Sequence, residues 1–167
     1  MDAHGKTEAA VLAALVGDGP DPLIVFTERR ADLRRHAGEI SFPGGRRDSP
    51  DEELLETALR ESEEEIGLRR DQVELLGALP PIGTFVTSYK VHPFVGVIPE
   101  DAPLEPNPAE VAAVLRFRVS ELRNVFAMRR LVRMGLPIRT PTYELGDHLI
   151  WGATARILGE LLGRLAP

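Results

Sequence analysis

Between residues 54 and 68 the chain reads "LLETALRESEEEIGL", and it places carboxylates where a helix least favours them. The C-terminal end of a helix already carries partial negative charge. Each acid there costs about 0.3–1 kcal/mol, and like charges at i,i+4 add about 0.2–0.5 kcal/mol. At 3.6 residues per turn, Glu61, Glu64 and Glu65 share one arc roughly 100° wide. Leu55, Ala58, Leu59, Ser62 and Ile66 fall on the adjoining arc, which would face a core. A solvated acidic face is the ordinary reading of such a run. The other reading is a cation site, because carboxylates without Cys or a nearby His are hard oxygen ligands suited to Mg²⁺ or Mn²⁺. Asp51, Glu52 and Glu53 need no special reading, since acids are favoured in a first turn. Arg60, four residues before Glu64 and four after Glu56, can relieve part of the repulsion.

The surrounding elements must hold this cluster. The spacing predicts a helix from about Asp51 to Ile66, with Ser49 or Asp51 near its N-cap and Gly67 just past its end. "PGG" at 43–45 breaks regular structure and lets backbone approach a ligand closely. Upstream, "AAVLAALV" (9–16) and "PLIVFTE" (22–28) flank the turn signal "GDGPD" and read as a hairpin, although the alanines leave helix open for the first run. "RRADLRRHAGEIS" is a polar loop. "QVELLGAL" and "KVHPFVGVIP" read as strands, and "EDAPLEPNPAE" as a proline-rich loop from whose end Glu110 is a candidate to reach the site. "EVAAVLRFRV" favours strand, and "SELRNVFA" a short helix opened by Ser120. "LIWGATARILGELLGRL" has helical spacing throughout and closes the chain, with Trp151, like Phe126, expected in the core.

At 167 residues and 43% hydrophobic, the chain suits one domain spanning 1–167 with a full core. Strands framed by two long helices predict a mixed α/β sandwich. No segment has the roughly 20 apolar residues of a membrane span, and the first residues do not read as a signal peptide. There is no cysteine, which excludes disulfides and thiolate metal sites and favours a cytoplasmic setting. The net charge of −6 argues against nucleic acid as a partner. It also means that a phosphate-bearing substrate would need arginines or a cation at the site.

The residues now resemble a known family. Gly45, an intervening loop, Arg60-Glu61, Glu64-Glu65 and Gly67-Leu68 are similar to the Nudix box of metal-dependent hydrolases that cleave nucleoside diphosphates linked to another group. Two positions depart from it. The stretch from Gly45 to Arg60 is one residue longer, so the first acid of the box maps to Asp51 or Glu52, and Ser62 stands where an aliphatic is usual. "FTERRADLRRHAGEISFPGG" further resembles the motif upstream of the box in coenzyme A pyrophosphatases, with Thr27, Arg29, Arg34, Gly38 and Phe42 to Gly45 matching. Arg30 replaces the usual Ser, and Val25-Phe26 the usual Leu-Leu. "IWGATARIL" (150–158) looks like that subfamily's closing helix.

The resemblance implies an α/β/α sandwich with a mixed sheet and a loop–helix–loop catalytic motif. It implies Glu61, Glu64 and Glu65 as ligands of Mg²⁺ or Mn²⁺, and Glu61 and Glu64 with Arg60 as the catalytic set. One of these acids, or a loop acid, would activate water for attack on the diphosphate. Arg29, Arg34, Gly38, Gly44 and Gly45 would bind substrate. The expected substrate is a small molecule, coenzyme A or a derivative, with 3′,5′-ADP and 4′-phosphopantetheine as products. ADP-ribose or another nucleoside diphosphate derivative is the alternative, and an inactive Nudix-fold binding module the next. Among the loop cations, Arg29, Arg30, Arg34 and Arg35 could hold phosphates or be solvated, and His36 reads as a surface histidine.

Overall fold

The computed structural model describes residues 7–32, 38–84 and 88–167. Its core is organised around β1 (Thr7–Val16), which is buried on both faces. Small residues make that possible. Ala10, Leu12 and Ala14 point to one side and pack with Ala58, Ile66 and Leu68. Ala13 and Leu15 point to the other and join Ile157, Leu158 and Leu161. The helices on the two faces are α1 (Leu54–Ile66) and α3 (Gly152–Arg164), so the expected α/β/α sandwich is present.

The sheet is mixed. β1 runs parallel to β7 (Tyr89–Ile98) over its full length, from Thr7↔Tyr89 to Val16↔Ile98. β2 (Leu23–Arg29) forms the expected hairpin with β1, which resolves the first run as strand, but only Leu15↔Ile24 and Val16↔Leu23 pair. Beyond them β2 diverges to pair with β3 (Ile40–Ser41), while β8 (Val111–Arg118) pairs along the whole of β2, from Leu23↔Arg118 to Arg29↔Val111. β4 (Gly44–Arg46) takes the vacated edge of β1, through Ala10↔Gly45 and Val11↔Gly44. The divergence opens the sheet beside β4. β5 (Glu74–Ala78) and β6 (Ile82–Gly83) pair with β7.

Some expectations are corrected. "PGG" does not simply interrupt structure, because Gly44 and Gly45 are strand residues. Without side chains they lie close enough to β1 to pair, where a Cβ on Gly44 would stand 2.3 Å from the Ala10 carbonyl oxygen. α1 begins at Leu54 with Glu53 at its N-cap, three residues later than expected. The cause is a turn in which the Glu52 N–H donates to the Ser49 carbonyl, while the Glu52 side chain is drawn to Arg60 and Thr57. Gly67 ends the helix as expected, at φ 66°. The short helix α2 (Val119–Val125) is capped at Arg118, so Ser120 does not open it. Ser120 lies inside, with its N–H and hydroxyl both donating to the Asp21 carboxylate.

The stretch carrying β9 (Phe126–Arg133), β10 (Leu136–Leu145) and β11 (His148–Ile150) forms a second, antiparallel sheet. Phe126 is about half exposed on it (51%), against the expected core position, with its ring centroid 5.7 Å from that of Tyr143. Trp151 is partly buried, with the Arg133 guanidinium 4.8 Å from its ring centroid. No helix among the described residues is long and apolar enough to cross a membrane.

Candidate functional site

Arg60 anchors the acidic helix. Its Nε donates to Glu52 Oε2 at 2.9 Å and its Nη2 to Glu52 Oε1 at 3.1 Å, a bidentate pair. Its Nη1 donates to Glu61 Oε1 at 3.0 Å and more loosely to Glu64 at 3.4 Å. Asp48 stands 3.3 Å from Nε. Glu52 also accepts from the buried Thr57 hydroxyl at 2.6 Å and the Asp48 N–H at 3.1 Å. The Arg60 and Thr57 hydrogen bonds hold its carboxyl down at about 2. The ambiguity left by the one-residue extension is thus resolved in geometry, because Glu52 pairs with Arg60 while Asp51 is exposed. Thr57 escaped the sequence reading, since a Thr inside a helix looks neutral until its partner is seen.

Glu61 and Glu65 turn inward from α1 toward β4. The Gly44 N–H donates to Glu65 Oε2 at 3.3 Å. The Glu61 carboxylate lies so close to Gly45 that a Cβ there would sit 2.6 Å from its carboxyl carbon. Burial pushes the Glu65 carboxyl up to about 8, reinforced by the charges of Glu61 and Glu110 against the hydrogen bond from Gly44 and the charge of Arg29. Burial raises Glu61 too, opposed by Arg60. Glu110, at the end of the proline-rich loop, is therefore part of the site. That loop also caps α1, with the Asn107 N–H donating to the Glu65 carbonyl and the Glu105 N–H to that of Ile66, each at 2.8 Å.

Glu64 is the exposed member of the expected trio. Its side chain is 56% exposed and leans on Arg60, and its charge, like that of Glu110, acts on Glu61. The Arg60 Nη1 is shared between Glu61 and Glu64. Among the described residues no three Asp, Glu or His side chains close into a cage. The donors gathered here are carboxylate oxygens, the ligand type that a hard divalent cation takes.

A cleft of about 340 Å³ adjoins these carboxylates, lined by Arg29, Gly44, Gly45, Glu65 and Glu110 among others. Arg29 sits at a bulge between Glu28 and Arg29 in the β2–β8 pairing. Gly38, at φ 72°, closes the following loop, its N–H donating to the Arg29 carbonyl at 3.1 Å. Gly38 thus acts as a turn, and it is not among the residues lining the cleft. Arg30 is committed elsewhere, to Asp32 and the Pro108 carbonyl. Arg34, Arg35 and His36 lie outside the described residues.

The mixed-sheet sandwich and the glycine strand feeding an acidic, arginine-anchored helix define an α/β fold with a carboxylate-lined cleft. Residues 6–134 match the NUDIX domain, and the chain belongs to the Nudix hydrolase family. It is 40% identical to a protein of Photorhabdus laumondii named uncharacterized Nudix hydrolase NudL, over 92% of this chain and 82% of that one. The Pectobacterium atrosepticum protein of the same name is 35% identical over 95% of this chain and 82% of its own. In fold the chain resembles the NUDIX domain of Shewanella oneidensis NrtR, solved in complex with ADP ribose, at TM-score 0.61 and 12% identity over 97% of this chain and 90% of that one. It also resembles RenU, a Nudix hydrolase of M. smegmatis, at TM-score 0.59 and 20% identity over 71% and 74% of the two chains.

Proposed function

We propose that this Nudix hydrolase cleaves the diphosphate of coenzyme A or its derivatives, giving 3′,5′-ADP and 4′-phosphopantetheine or its acyl form. The observation that carries the reading is the meeting of two motifs in one cleft. Arg29, from the segment resembling the coenzyme A motif, lines it together with Gly44, Gly45 and Glu65 of the box.

Glu61, Glu64 and Glu65 would hold Mg²⁺ or Mn²⁺, with Glu110 adding charge from the facing loop. Such a cation, when bound there, would supply Lewis-acid activation of water and neutralisation of phosphate charge. The chain's own residues supply the rest. Arg60, fixed by Glu52, orients Glu61 and opposes the upward push of burial on its carboxyl. Arg29 offers a guanidinium to the diphosphate, and the bare backbone of Gly44 and Gly45 lets the substrate approach.

The test is a panel of coenzyme A, acyl-coenzyme A, ADP-ribose and dinucleoside polyphosphates, incubated with Mg²⁺ or Mn²⁺ and with excess EDTA, the products being identified by mass. Coenzyme A is expected to give 3′,5′-ADP only when the cation is present. Full turnover in EDTA would remove the cation from the reaction. Faster turnover of ADP-ribose than of coenzyme A would replace the substrate. A protein that binds these diphosphates without cleaving them would be a binding module.

A further inference from the structure

The cleft does not end at the carboxylates. Its lining continues to the first turns of α3, where Ala153, Thr154 and Ile157 share it with Val11, Val91 and Tyr89. Val11 and Val91 pack against the same cluster as Ile157, so this part of the cleft is a continuous aliphatic wall between the sheet and α3. Two large rings nearby are already engaged. Phe42 is 2% exposed and stacks on Phe26 with centroids 4.9 Å apart, and Trp151 carries Arg133 on its ring. The wall presents the partly exposed methyl groups of Val11, Val91 and Ala153 with Thr154 beside them, and its aromatic side chains are Tyr89 and the nearly covered Phe42. The α3 contribution also comes from outside residues 6–134, the part of the chain that matches the NUDIX domain.

We infer that this wall receives the non-nucleotide arm of the substrate, and that Ala153 determines which arms fit; the inference rests on the coenzyme A reading above. The arm of coenzyme A is a flexible chain of methylenes, a dimethyl-substituted carbon and two amides. Aliphatic surface with a few hydrogen-bonding groups suits such a chain. Ala153 is a partly exposed side chain in the first turn of α3, and its small size leaves the width of the cleft to the arm.

The test separates the two halves of the substrate. Binding of 3′,5′-ADP and of 4′-phosphopantetheine is measured by calorimetry with Mg²⁺ present, for the unmutated protein and for Ala153→Leu. Three added carbons in a fitted apolar site should weaken 4′-phosphopantetheine by about 10- to 100-fold, in the range that single-methylene mismatches produce. The affinity for 3′,5′-ADP should change by less than about twofold, within the additivity of separate sites. Equal weakening of both, or weakening of 3′,5′-ADP alone, would overturn the inference and assign the wall to the nucleotide half. Failure of either product to bind the unmutated protein would instead remove the coenzyme A reading itself. If Ala153→Leu does not fold, Thr154→Leu, one residue further along the same turn, is read by the same criteria.

Discussion

Glu65 is the residue on which charge, burial and chemistry meet. Its carboxyl is pushed from an ordinary 4.5 to about 8, so folding takes up a proton there. Stability from this group is greatest below 4.5 and falls as the pH rises to about 8, because between these values the native state binds more protons than the unfolded chain. In EDTA, the Tm of the unmutated protein should therefore drop between about pH 6 and about pH 9, and that of Glu65→Gln should drop less. Adding Mg²⁺ at about pH 9 should restore the loss in the unmutated protein only, since a cation is bound by the ionised carboxylate. Turnover should fall by orders of magnitude in Glu65→Gln. Equal pH profiles for the two proteins would mean that Glu65 is solvated like any surface acid. Glu52 responds in the opposite direction, its low value of about 2 withdrawing stability only as the pH falls below 4.5. The misplaced acids were legible in the sequence because helix electrostatics makes them costly. The sharing of Arg60 among Glu52, Glu61 and Glu64 was not, since it depends on where one guanidinium finds its partners.

At the scale of elements, β4 and α1 act as one unit, and the two glycines of β4 do different work. A Cβ at Gly44 would meet backbone and side-chain atoms of β1, with the Ala10 carbonyl oxygen at 2.3 Å and Val11 atoms at 2.6 and 2.7 Å. Backbone in a sheet cannot yield cheaply. Gly44→Ala should cost about 1–3 kcal/mol of stability, read as a lower denaturation midpoint. A Cβ at Gly45 would meet only the Glu61 carboxylate, the far end of a side chain that can swing away. Gly45→Ala should therefore keep most of its stability and lose most of its turnover by displacing Glu61. A variant pair with equal stabilities and equal rates would dissolve this division of labour. Helix α1 and its glycine end were readable from periodicity and from Gly67. Its true start was not, because the turn from Ser49 to Glu52 is fixed by the long-range pull of Arg60. Strand β4 was hidden for a related reason, since "PGG" signals a break to local rules and becomes a strand only against β1. The hairpin of β9 and β10 left no clear pattern, its exposed Met128, Val132, Met134 and Leu136 running against inside–outside alternation.

For the whole molecule, the problem is how a chain of net charge −6 binds an anionic substrate. The position of Arg29 answers part of it. Its charge acts on Glu65 and it lines the same cleft, so it lies at the carboxylate end and would serve the diphosphate that all candidate substrates share. The 3′-phosphate that distinguishes coenzyme A from dephospho-coenzyme A then falls to another cation, and Arg34 is the residue that the upstream motif offers. Arg29→Ala should lower kcat/KM on coenzyme A and dephospho-coenzyme A to similar extents. Arg34→Ala should lower it on coenzyme A alone. A charged hydrogen bond contributes about 1.5–3 kcal/mol, which corresponds to roughly 10- to 150-fold in kcat/KM. Kinetics on the two substrates with each variant decide the assignment. A selective loss for Arg29→Ala would put the 3′-phosphate at the carboxylate end. Equal losses for Arg34→Ala would leave the 3′-phosphate without a partner in this loop, and would make the extra phosphate irrelevant to what the cleft selects.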